Sequence, residues 1–234
     1  MLRPRSAIEI IDAAVEVVRG HFGALFTLAA AVSIPAVTLQ LLATRHPRRI
    51  ELAYLQTFVG AALDTLASGA VVAYVGTRVF GTPLSIADAL RAALRNFGRL
   101  FIGSVAYGLM VIVGFVLLVV PGILLAARYF AIPAVIMMEN AAVGTALTRS
   151  GRLTEHAAGR VIAIFGTAWV VYLVVMFGVA LVAEGLFSPQ LQVLVSGVAQ
   201  AVLEPFLATL TTLLYFDLRV RREGFDVAAM LARG

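Results

Sequence analysis

The chain contains no cysteine, which excludes disulfide bonds, thiolate metal sites and cysteine nucleophiles. It contains no lysine either: all 18 basic residues are arginine. Histidine occurs only at His21, His46 and His156, in three different connecting regions, so no metal site is expected. Charge is scarce, at 13% of the 234 residues, against about a quarter in an ordinary soluble domain. Also absent are the G-x-x-x-x-G-K-[ST] phosphate loop, the H-E-x-x-H zinc motif and the G-x-S-x-G nucleophile elbow. Intramembrane proteolysis would need paired Asp or Ser/His residues within apolar segments, and Asp64 has no such Asp partner. The expectation is a chain that is not an enzyme, with no catalytic residue, no cofactor and no metal.

What is present is apolar sequence, 61% of the chain. Runs of about 20 apolar residues, the length that crosses a hydrocarbon core, recur throughout. Their even spread points to one membrane domain over residues 1–234. The first run follows a charged segment too long for a signal-peptide n-region, so the N-terminus is expected to be retained. The net charge of +5 would suggest nucleic acid for a soluble protein. Here membrane lipids with anionic headgroups are the expected partner, other membrane subunits a further one, and nucleic acid none.

The pattern predicts an all-α polytopic protein with spans near 21–43, 52–80, 100–120, 123–138, 161–183 and 191–216. Surface helices are expected near 6–19, 85–99, 141–156 and 225–233. In the first of these, Glu9, Asp12, Glu16 and Arg19 recur at steps of three and four, an amphipathic spacing. Ser6 with Glu9 forms a capping-box pattern. Asp88, Arg91, Arg95 and Arg99 form a stripe on the second, and Arg149, Arg152 and Glu155 cluster on the third. Pro121-Gly122 is expected to make the turn between spans three and four. HFGALF (21–26) and NFGRLF (96–101) match where a surface helix turns into a span, and GRVIAI (159–164) is a looser third copy. The implied unit is one surface helix followed by a two-span hairpin, repeated three times.

Arginine is unevenly distributed. Arg3, Arg5, Arg19, Arg78, Arg91, Arg95, Arg99, Arg149, Arg152, Arg160, Arg219, Arg221, Arg222 and Arg233 fall on one side, and Arg45, Arg48 and Arg49 on the other. The positive-inside rule then puts both termini in the cytoplasm. Arg91, Arg95, Arg99, Arg149, Arg152, Arg221 and Arg222 are the expected headgroup-binding residues.

Asp64, Arg128 and Glu204 lie well inside the second span of each unit. An isolated charge at the bilayer centre costs at least about 2.5 kcal/mol, so the expectation is a cluster of Arg128 with one or both acids. It reads either as a proton, ion or headgroup site or as an ion pair that fixes helix register. Glu139 and Glu184 are expected to reach the interface, Tyr215 to anchor there, and Trp169 to serve packing. Small-residue pairs at Ser104 with Gly108, Gly69 with Ala73 and Gly197 with Ala201 would permit close helix approach.

Taken together, LRPRSAIEIIDAAVEVVRGHFGALF, PGILLAARYFAIPAVIMMEN, ALTRSGRLTEHAAGRV and TTLLYFDLRVRREGFD resemble the YciC-like bacterial membrane proteins and the membrane domain of some glycerophosphoryl diester phosphodiesterases. The resemblance implies a six-helix protein of the bacterial cytoplasmic (inner) membrane. In the phosphodiesterases catalysis belongs to a separate soluble barrel, for which these spans leave no room. The chain departs from the pattern where Gly151, rather than an aromatic residue, follows Ser150, which implies a less firmly anchored third surface helix. The first functional expectation is a noncatalytic scaffold or accessory subunit of a membrane complex. The second is a small transporter or lipid-handling protein using Asp64, Arg128 and Glu204.

Overall fold

A computed structural model describes residues 6–46 and 48–224; the surface helix expected near 225–233 lies outside them. Among the described residues there are ten helices and no strand. They are α1 (Ala7–Gly20), α2 (Phe22–Arg45), α3 (Ile50–Val79), α4 (Ile86–Arg95), α5 (Phe97–Leu117), α6 (Val119–Tyr129), α7 (Ile132–Glu139), α8 (Val143–Thr154), α9 (Ala158–Leu186) and α10 (Pro189–Glu223). Counting α6 with α7 as one, six are long and apolar enough to cross a membrane, so this is an α-helical protein of multi-pass membrane type. Consecutive long helices pack on one another: α2 on α3, α5 on α6, α9 on α10. α10 also packs on α1, α2 and α3.

Helix starts follow local chemistry. The Ser6 hydroxyl accepts from the Glu9 N–H at 3.2 Å, and the Glu9 carboxylate accepts from the Ser6 N–H at 2.6 Å, the capping box the sequence implies. Ser85 caps α4 by accepting from the Asp88 N–H at 3.1 Å. The three matched motifs share a backbone device. His21 (φ −125°, ψ 22°) and Asn96 (φ −100°, ψ 4°) each form a one-residue break before a long helix, and Ala157 (φ −114°, ψ 5°), last of a three-residue break after α8, has the same backbone. Four residues on, Leu25, Leu100 and Val161 are all buried. The equivalent step thus turns each chain into its span and plants the same apolar position in the core.

That core occupies one end of the bundle, where α3, α7 and α10 finish and α2, α5 and α9 start. Leu66 to Gly76 of α3 is almost continuously buried, as is Ala208 to Leu218 of α10. At the other end, Val116, Leu117 and Leu118 stand exposed, a surface suited to lipid rather than water. The turn between α5 and α6 is earlier and tighter than Pro121-Gly122 would make it. Leu118 alone is extended, and Pro121-Gly122 lies in the first turns of α6. Proline fits there because its missing N–H belongs to the unpaired first turn. Gly122 instead serves packing: a Cβ on Gly114 would sit 2.8 Å from the Gly122 Cα. Of the expected small-residue pairs, Gly69 packs on Leu100 and Gly197 on Val37, while nothing lies within 4 Å of a Cβ at Gly108.

The fourth span is broken between α6 and α7. Pro133, in the first turn of α7, cannot carry the hydrogen-bond ladder of α6 through, and hydrocarbon offers no replacement partner for backbone groups freed at the break. α8 supplies it. The Ser150 hydroxyl donates to the Arg128 carbonyl at 2.9 Å and accepts from the Ala131 N–H at 3.3 Å. The Thr154 hydroxyl adds a bond to the same carbonyl at 3.1 Å. Ser150, Gly151, Leu153 and Thr154 are all buried. The third short helix is therefore keyed into the bundle, contrary to the loose anchoring expected from Gly151. That glycine makes room for the Arg128 side chain, whose Nε lies 3.3 Å from where a Cβ would stand.

Two expected outcomes follow for thermal unfolding of the purified protein in detergent. Gly114→Ala overpacks the α5/α6 contact and destabilises by about 1–3 kcal/mol, whereas Gly108→Ala does not destabilise. Ser150→Ala orphans an N–H at the break and costs about 1–3 kcal/mol.

Candidate functional site

Asp64 stands midway along α3 and Glu204 midway along α10. At 1.5 Å per residue they lie roughly 21 Å and 22 Å from the starts of their helices, so the two acids reach the same depth. Gln200, one turn before Glu204, bridges the helices: its Nε2 donates to Asp64 Oδ1 at 3.2 Å. Glu204 Oε2 is inaccessible and has no hydrogen-bond partner among the described residues.

Both acids line a cavity of about 370 Å³. Its walls are Thr65 and Ser68 of α3, Gly103, Ser104 and Tyr107 of α5, Phe165, Trp169 and Tyr172 of α9, and Leu207, Ala208 and Thr211 of α10. Tyr129, Phe130, Ile132 and Pro133 close it at the α6/α7 break. Gly103 lets α5 approach α7, since a Cβ there would meet Ile132 and Ile136 at 3.0 and 3.1 Å. The broken span leaves no continuous helix to fill the space beside α10. Thr65 and Thr211 donate their hydroxyl protons to carbonyls one turn back, at 2.8 Å each, so toward the cavity they offer oxygen lone pairs. Trp169, expected to serve packing alone, lines the cavity and is 44% exposed.

The structure brings together two of the three intramembrane charges and places the third elsewhere. Arg128 does not line the cavity. One residue of an α-helix turns through about 100°, so Tyr129 faces the cavity while Arg128 faces α8. There it lies over Gly151, exposed, in a groove with Thr148, Arg152 and Glu155. The expected cluster of Arg128 with Asp64 and Glu204 is not formed.

The headgroup candidates divide as well. Arg149 pairs with Glu139 at 3.1 Å and with Glu223. Glu223, and then Glu139, raise its pKa and hold it charged against partial burial. Arg221 pairs with Asp217 at 2.9 Å, and Asp217 also takes Arg160 at 3.1 Å. Arg222 donates to the Arg152 carbonyl at 2.6 Å. Arg99 donates to the carbonyl and side-chain oxygens of Asn140 at 3.0 and 2.7 Å, closing the end of α7. Arg91 pairs with Asp88 on an exposed surface, and Arg95 and Arg152 are exposed. Arg149, Arg221, Arg222 and Arg99 therefore spend their donors within the protein. Tyr215 is buried within the protein rather than presented to lipid, and donates to Glu139 at 2.7 Å. Glu139, at the end of α7, is thus shared by Tyr215, Arg149 and Arg219.

Among the described residues no group of three or more His, Cys, Asp or Glu side chains could hold a metal ion. No family model, curated protein or solved structure matches the chain.

Arg149→Ala leaves Glu139 and Glu223 with Arg219 as their one remaining shared cation among the described residues, with an expected loss of about 1–3 kcal/mol. Arg91→Ala removes an exposed pair and changes stability by less than about 0.5 kcal/mol. Denaturation followed by Trp169 fluorescence checks both.

Proposed function

We propose that the protein is a small solute carrier of a bacterial inner membrane that binds its solute at Asp64 and Glu204. In this reading the six spans form three hairpins, each introduced by a short helix at the cytoplasmic surface, with both termini cytoplasmic, as the YciC-like resemblance and the arginine distribution imply. α1, α4 and α8 gather at the end where the arginines concentrate, which supports that orientation. Of the expected headgroup residues, Arg91, Arg95 and Arg152 are then the ones left exposed for lipid.

The observation that carries the proposal is a cavity lined by both Asp64 and Glu204, the second with an oxygen that has no partner among the described residues. An ion pair serving only helix register would place a cation against these acids in a packed core. The cavity instead sits where two carboxylates, disrupted spans and aromatic walls converge, the usual place for a binding site in a bundle. The scaffold or accessory-subunit reading stands second, supported by the exposed apolar outer face of α9, including Val170, Val174 and Phe177. It requires native-membrane cross-links to a partner, and a stable monomer without cross-links removes it.

In proteoliposomes containing the full chain, the expected outcome is saturable uptake of a member of a panel of small cationic, neutral and anionic solutes. Asp64→Asn/Glu204→Gln abolishes that uptake. Flux unchanged in the double variant contradicts the proposal.

A further inference from the structure

The chemistry of the cavity names a class of solute. Its two ionisable acids bring no basic side chain with them, because Arg128 lies against α8. One N–H of the Gln200 amide is committed to Asp64. What remains facing the space are carboxylate oxygens, hydroxyl oxygens and ring faces. Glu204 Oε2 is fully covered by protein and accepts no bond among the described residues. A carboxyl group with one oxygen so covered has lost solvation, and a cation held at the part of Glu204 that lines the cavity would offset that loss. An anion would meet like charge here, and a neutral solute would leave the acids uncompensated.

The walls distinguish among cations. A calcium or magnesium ion takes six or more oxygen ligands in close array, and the described residues hold no group of three or more His, Cys, Asp or Glu side chains for a metal. Two carboxylates within a space of 370 Å³ leave most of the wall to apolar and aromatic groups. Trp169 and Tyr172 stand edge to face with ring centroids 5.3 Å apart, and Tyr107 lies on the α5 wall. Such rings attract a cation through their quadrupole and bury the body that carries it. The volume falls in the lower range of small-molecule sites.

We infer that the cavity binds a small organic ammonium ion, its charged head between Glu204 and Asp64 and its apolar body against Trp169 and Tyr172. This deepens the carrier reading and rests on it for the route of entry, but binding and transport are separable. Trp169 is the one tryptophan of the chain, so its fluorescence reports the cavity directly.

The test titrates full-length protein in nanodiscs with phenethylammonium, with the neutral 2-phenylethanol and with the anionic 3-phenylpropanoate, reading Trp169 emission and radiolabelled phenethylammonium binding in parallel. The expected result is saturable binding of the ammonium ion alone. Glu204→Gln keeps the side-chain volume and weakens binding by about 10- to 100-fold, the worth of a charge-assisted hydrogen bond. Arg128→Gln, outside the cavity, leaves binding unchanged. Equal binding of 2-phenylethanol, no ammonium binding by either readout, or full binding by Glu204→Gln overturns the inference. Ammonium binding without flux of any solute removes the carrier reading and keeps the site. Flux of a neutral or anionic solute without ammonium binding does the reverse.

Discussion

Hydrocarbon supplies no hydrogen-bond partner, so every backbone group and charge placed at membrane depth must be satisfied by the protein itself or by water it admits. The α6/α7 break shows the first solution. Its freed Arg128 carbonyl and Ala131 N–H are met by Ser150 and Thr154, which requires α8 to enter the bundle rather than lie loosely on it. Entry in turn requires the glycine at 151, where the Arg128 side chain rests. A local defect in one span thereby determines the seat of a helix 20 residues later.

The same constraint sorts the charges. At the arginine-rich end, Glu139, Asp217 and Glu223 gather Arg149, Arg160, Arg219 and Arg221 into paired clusters that tie the ends of α7 and α10 to α8 and α9. At mid-depth the acids find no arginine. Asp64 has Gln200, and Glu204 lines the cavity with one covered oxygen that has no partner among the described residues. A carboxylate so placed needs water or a cationic guest, and this is why the cavity reads as a working site rather than a packing fault.

Much of this was legible in the residues. Span positions follow from apolar run length, α1 from Ser6 and Glu9, and the span entrances from the H/N-F-G steps, since each depends on neighbours in sequence. The convergence of Asp64 and Glu204 was foreshadowed by the cost of leaving either alone. The side taken by Arg128 was not, because it turns on a 100° step of α6 and on where α8 docks, both set by packing between distant segments. For the same reason Gln200 passed unnoticed: an amide one turn from Glu204 gains meaning only when α3 is seen beside α10. Residue type alone does not place Trp169 or Tyr215: the first lines the cavity beside α10 and the second bonds Glu139 of α7.

A cavity at mid-depth that admits water is the claim on which the site depends. The chain's lack of cysteine makes single-cysteine labelling direct. Ser104 lines the cavity, and Val105, the next residue of α5, faces outward at 45% exposure. With a membrane-impermeant, charged thiosulfonate reagent on protein in bilayers, Ser104→Cys is expected to be modified and Val105→Cys to stay inert. A Ser104→Cys variant as inert as Val105→Cys would mean a dry core, and the site described around Asp64 and Glu204 would fall.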